Sequence, residues 1–128
     1  MNSFRRPKTL TEVVQNILAG ADPGMEVKDF LHEFKDRGDI DMLQQPPRLL
    51  AGNVSRGEML DAYFQALAVY LAAKLNLDPP EWTQPAKHLS QPWFASTGKA
   101  LRNYLLISSP APFRARNLFI DEDSLRVV

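Results

Sequence analysis

The stretch from Ser55 to Leu75 constrains this chain more than any other. It contains no proline, and Leu60, Tyr63, Phe64, Leu67, Tyr70, Leu71 and Leu75 recur along one face at helical spacing. Ser55-Arg56-Gly57-Glu58 has the form of a capping box, with a hydroxyl to accept an orphan N–H and a carboxylate to reach back. Ala62, Ala66, Ala68, Ala72 and Ala73 widen the face with small side chains that let neighbours approach closely. The segment reads as a central helix packed on more than one side. A second reading stays open: apolar surface in excess of what a small helical core covers would be an interface for a second copy or another protein.

Amphipathic segments lie on either side of it. Thr9-Leu10-Thr11-Glu12 is another capping box, followed by Leu10, Val13, Val14, Ile17 and Leu18 on one face and by Gly20 as a stop. Asp22-Pro23 opens a second helix, with Val27, Phe30, Leu31 and Phe34 as its stripe and Gly38 at its end. Ile40, Met42 and Leu43 add a short turn before Pro46-Pro47. A fourth helix is expected from about Thr97 to Ile107, with Leu101, Tyr104 and Leu105 inward, and a turn of helix near Ala86–Leu89. Ser109-Pro110 reads as the cap and first residue of a short helix that Asn117 leaves, and Asp121 to Ser124 starts a last turn. Leu118-Phe119-Ile120 should tuck into the core. No alternating strand pattern, hairpin turn or repeat stands out.

The expected fold class is therefore all-α. It is a single compact helical bundle over residues 9–128, with a proline- and aromatic-rich irregular segment, short C-terminal helices and a basic, flexible arm over residues 1–8. The length of 128 residues fits one domain, at about 100–150 residues for a typical case. An apolar share of 45% with 23% charged residues places the chain among globular sequences rather than disordered ones.

Composition also restricts function. Fifteen basic and fifteen acidic residues cancel, which argues against a surface built throughout for nucleic acid or an anionic membrane. The absence of cysteine removes thiolate zinc sites, disulfides and thiol nucleophiles. No apolar run is long enough for a bilayer, and the basic start lacks the apolar stretch of a signal peptide, so a cytoplasmic location is expected. Only His32 and His88 supply imidazoles, and neither belongs to a metal-ligand spacing. Asp39 and Asp41 read as capping and solubility groups; Asp121, Glu122 and Asp123 lack the glycine and distant glutamate of a calcium loop. Ser96-Thr97-Gly98-Lys99 contains Gly-Lys without the rest of a phosphate loop. No catalytic residue, metal or cofactor is expected, and the chain does not read as an enzyme. A minor alternative is an unfamiliar site around His88, Asp121 and Arg114.

Cations cluster more than the total suggests. Arg5, Arg6 and Lys8 form the arm, while Lys99, Arg102, Arg114 and Arg116 lie in a stretch without acids between Thr97 and Asn117. Two readings are open. The arginines contact phosphate or an acidic partner, or Arg114 and Arg116 cap helix ends and pair with Asp121, Glu122 and Asp123. The first two helices have the short turn of a helix-turn-helix. However, Glu26, Asp29, Glu33 and Asp36 would set the second against phosphates. Around the prolines 79, 80, 85 and 92, the rings of Trp82, Trp93 and Phe94 should glue an irregular segment down; Pro92, Phe113 and Phe119 are expected anchors too.

Asp61-Ala62-Tyr63 with the alanine-leucine run to Leu75, Pro79-Pro80-Glu81-Trp82, Pro92-Trp93-Phe94 and Ser109-Pro110-Ala111-Pro112-Phe113-Arg114-Ala115-Arg116-Asn117-Leu118-Phe119 together resemble a family of small bacterial helical proteins. The resemblance spans roughly residues 55–128 and implies an accessory or regulatory module, antitoxin-like in character. Such modules are sometimes joined to a DNA-binding domain. The expectation is a non-catalytic domain that binds another protein or a second copy of itself. The candidate contacts are Arg102, Arg114, Arg116 and Asn117. The alternative is a nucleic-acid accessory protein using the Arg5/Arg6/Lys8 arm with Arg102, Arg114 and Arg116.

Overall fold

A computed structural model describes residues 5–96 and 98–127. It is mostly helical, 55% helix against 3% strand. Helix α1 is Leu10–Leu18 and α2 is Pro23–Arg37; α3, Asp41–Gln44, is a single turn, and α4 is Gly57–Lys74. A 3-10 turn at Glu81–Thr83 precedes strand β1 (Trp93–Phe94), α5 (Lys99–Ser108), α6 (Ala111–Arg114), strand β2 (Leu118–Phe119) and a last 3-10 turn at Glu122–Leu125. Among the described residues no helix is long and apolar enough to cross a membrane.

Local chemistry sets the first two helices. The Thr9 hydroxyl accepts the Glu12 N–H at 3.1 Å, and the Glu12 carboxylate accepts the N–H of Lys8 at 3.0 Å. Asp22 accepts the N–H of Met25 at 3.0 Å, ahead of Pro23 at the first helical position. Gly38 ends α2 in the left-handed conformation (φ 55°), where a side chain would be strained, and donates to the Phe34 carbonyl at 2.7 Å. Both helices bury the faces that the periodicity marks: Leu10, Val13, Val14 and Ile17 in α1, and Phe30, Leu31 and Phe34 in α2.

Helix α4 is central, but its start differs from the capping box. Arg56 precedes it in a left-handed conformation (φ 60°), and no side chain caps it. The cause lies outside the helix. The turn Leu50–Val54 presses on the first turn so closely that a Cβ on Gly57 would overlap the Leu50 carbonyl. Asp61 accepts the N–H groups of Leu50 at 2.7 Å and Ala51 at 3.0 Å, holding that turn in place. Contact with Leu50–Val54 thus outcompetes the Ser55 cap. Eleven residues of α4 are buried, among them Asp61 and Gln65. Most of the apolar surface of this helix is therefore taken up by the chain's own core, into which Phe113, Leu118, Ile120 and Leu125 also pack.

Three further corrections concern the second half. Residues 86–89 are irregular instead of helical: the N–H of Lys87 goes to Gln65 Oε1 (2.8 Å) and that of Leu89 to the Arg116 carbonyl (3.2 Å). The chain does contain strand. β1 and β2 pair in parallel, Trp93 opposite Leu118 and Phe94 opposite Phe119, a ladder too short for alternation to show. Finally, Ser109 does not cap α6. Its hydroxyl donates to Leu105 (2.6 Å) or Ile120 (2.9 Å) carbonyls, tying the end of α5 to the strand exit.

Candidate functional site

The arginine cluster divides into an inward and an outward part. Arg116 is buried. Its Nε donates to Gln65 Oε1 at 3.1 Å, and its guanidinium nitrogens donate to the carbonyls of Pro112 (2.9 Å) and Thr83 (3.0 Å). Burial pushes its pKa down from the ordinary guanidinium value. Gln65 completes the junction: its Oε1 also accepts from Lys87, and its amide faces the carbonyls of Trp82 and Pro85 at 3.4 and 3.3 Å. One buried arginine and one buried glutamine thus satisfy the irregular proline segment, α4 and α6 together. Asn117, at φ 67°, takes the turn conformation expected of it and donates to the Leu89 carbonyl at 2.9 Å. Both side chains, read from the sequence as candidate contacts, are engaged within the fold.

The remaining cations of the cluster face outward, on or beside α5. Lys99, Arg102 and Arg114 are exposed. The Arg102 guanidinium lies 4.5 Å from the centre of the Phe94 ring, which stacks on Phe119 at 4.9 Å. Arg114 reaches the Ile107 carbonyl at 3.5 Å. Neither Arg114 nor Arg116 pairs with the acids that follow. Instead Asp123 meets Arg126 at 3.0 Å, and Glu122 meets Lys74 at 3.9 Å and accepts the Tyr70 hydroxyl at 2.6 Å. Burial, and then the bond to Glu122, raise the pKa of Tyr70. Asp121 caps the last turn through the N–H of Asp123.

Helix α5 also reverses an expectation. Leu105 is buried, but Leu101 (56% exposed) and Tyr104 (52%) point outward, as do Leu106 and Ile107 (80%). Four of the seven large exposed apolar side chains among the described residues lie on this ten-residue helix. Of the three side chains that periodicity turns inward, Leu105 is buried and Leu101 and Tyr104 are not. The one advance signal was the run of three consecutive apolar residues, Leu105-Leu106-Ile107, which no single-sided helix buries.

The aromatic anchors behave unequally. Phe113 is buried edge-on against Tyr63 (5.3 Å) and Tyr70 (6.3 Å), and the Trp82 indole donates to the Leu43 carbonyl at 2.8 Å. Trp93, Phe94 and Phe119 are half-buried in and beside the β ladder. Pro92 is exposed and anchors nothing by burial. Of the basic arm, residues 1–4 lie outside the described residues. Arg5 pairs with Glu12 (3.1 Å) and Arg6 with Asp36 (2.7 Å) and Glu33 (3.7 Å), while Lys8 lies 4.0 Å from Glu33. His88 is exposed with Nδ1 3.2 Å from the Ala115 carbonyl, and among the described residues no group of three potential ligands could hold a metal ion. Comparison of the chain with protein-family models, with curated proteins and with solved structures finds no match.

Proposed function

We propose that this chain is a non-catalytic interaction domain that binds another protein through α5, in a regulatory, antitoxin-like role. The observation that carries the reading is the apolar surface of Leu101, Tyr104, Leu106 and Ile107, left outward on a helix that otherwise buries only Leu105. Lys99, Arg102 and Arg114 rim that surface with no acid in the stretch, so the partner presents an apolar ridge bordered by acidic side chains. Nucleic acid is the weaker reading. Of the six cations it would use, Arg5, Arg6 and Lys8 face acids of the chain itself, and Arg116 is buried.

The test compares the wild-type chain with a Leu101→Asp/Ile107→Asp variant as affinity baits in extracts of the source organism, with solution mass measured alongside. The wild type is expected to recover one protein stoichiometrically, and the variant to lose it at an unchanged melting temperature. A strictly monomeric wild type that recovers nothing, or a partner retained equally by the variant, overturns the reading.

A further inference from the structure

Between α2 and the first turns of α4 lies an open groove of about 650 Å³, within the roughly 300–1,000 Å³ of small-molecule sites. Its lining is mainly apolar, with Leu31 and Leu60 buried at its base and Val27, Met59 and Trp93 half-buried around it. No residue of α5 contributes to it, so it is separate from the surface discussed above.

Three polar features on or beside this apolar lining have no partner among the described residues. First, Lys28 and Arg56 are exposed, line the groove, and make no ion pair among the described residues; the third cation there, Arg126, is held by Asp123. Second, the N–H groups of Glu58 and Met59, at the uncapped start of α4, have no acceptor among the described residues, which leaves the positive end of an 18-residue helix beside Arg56. Third, Tyr63 lines the groove, and its hydroxyl has no hydrogen-bond partner among the described residues. Every buried side-chain polar atom described has a partner, so this hydroxyl reaches solvent although the ring is packed between Phe64 and Phe113. The phenol carries its proton near neutral pH, as tyrosine ordinarily does, and is a hydrogen-bond donor.

We propose that this groove binds a small amphiphilic carboxylic acid, its hydrocarbon body on the apolar lining, its carboxylate at Lys28 and Arg56, and Tyr63 donating one hydrogen bond. A monoanion fits better than a phosphate ester. Two side-chain cations match one carboxylate, and a dianion loses more hydration on entering an apolar lining. The volume suits a medium-chain acid rather than a folded partner.

The experiment is calorimetric titration of the full chain with decanoate and, separately, with decanol, and amide chemical-shift mapping locates the site. Decanoate is expected to saturate at one equivalent with Kd below about 1 mM. Decanol should bind about tenfold more weakly. Lys28→Gln/Arg56→Gln, two exposed positions whose change leaves the fold intact, should weaken decanoate about tenfold without altering decanol. Tyr63→Phe should weaken it severalfold. Absence of saturable binding, equal affinity for acid and alcohol, an unchanged affinity in the Lys28/Arg56 variant, or shifts mapping away from Trp93 and α4 each overturn the proposal.

Discussion

Helices α4 and α5 draw on the same residue types, leucine, alanine and tyrosine, and the fold uses them in opposite ways. In α4 most of the apolar surface is covered, and two polar side chains within it, Asp61 and Gln65, fasten neighbouring backbone onto the helix. In α5 one leucine is buried and four large apolar side chains remain outside. Composition separates the two only in part: α4 is the richer in alanine, and α5 carries Lys99, Arg102 and Asn103. What separates them is the presence, around α4, of chain with polar backbone groups to satisfy and a helix carrying the groups that satisfy them. The comparison places stability in α4 and its junctions, and leaves most of the apolar surface of α5 uncovered.

The most demanding test of that division is Arg116→Met. The substitution keeps an unbranched side chain but removes the donors to Gln65, Pro112 and Thr83; Gln65 Oε1 keeps the Lys87 N–H, while the Thr83 and Pro112 carbonyls lose their partner. A loss of about 4 kcal/mol in urea unfolding is expected. A loss under about 1 kcal/mol would mean that water replaces the guanidinium and that the junction is not buried in solution. Gly57→Ala probes the same region from the backbone side. Its Cβ meets the Leu50 carbonyl rather than a side chain that could swing away. About 3 kcal/mol should be lost, although alanine favours helix elsewhere.

These two positions also show where sequence reasoning works and where it stops. Thr9, Asp22-Pro23 and Gly38 were legible because a cap is decided by residues within one helical turn of it. The Ser55 box failed because Leu50–Val54 competes for the same helix end, and nothing local announces that contact. The C-terminal motif was visible as residues, but a charge in a sequence carries no sign of direction. Arg116 turned inward because three acceptors wait there from segments 65, 83 and 112. Likewise the spacing in α5 does not show that the core reaches Leu105 and stops short of Leu101 and Tyr104. The Lys28/Arg56 groove left no motif at all, since its parts come from α2, α4 and residues beyond 90.

A smaller effect is expected at alkaline pH. Tyr63 has its pKa raised from 10.0 to about 12 by burial, and Tyr70 is raised in the same direction. In the unfolded chain these phenols lose protons first, so the stability associated with their protonated forms is fully present below about pH 10. It falls as pH rises toward the folded values, by up to about 2–3 kcal/mol for Tyr63. Urea midpoints measured across that interval should decline less steeply for Tyr63→Phe than for the wild type. Equal slopes would mean that the ring is as open to water as in the unfolded chain.

The smallest expected change in stability falls on α5, and it is the sharpest side of the comparison. Aspartate at Leu101 and Ile107 would disrupt a core helix severely, because a buried unpaired carboxylate is costly. Both side chains are already more than half exposed, and Lys99, Arg102 and Arg114, in a stretch without acids, favour added negative charge. The double variant should unfold within about 0.5 kcal/mol of the wild type. A substantially larger loss would mean that α5 packs inward in solution, through the face first read from its periodicity, and the helix would then be a second α4 rather than its counterpart.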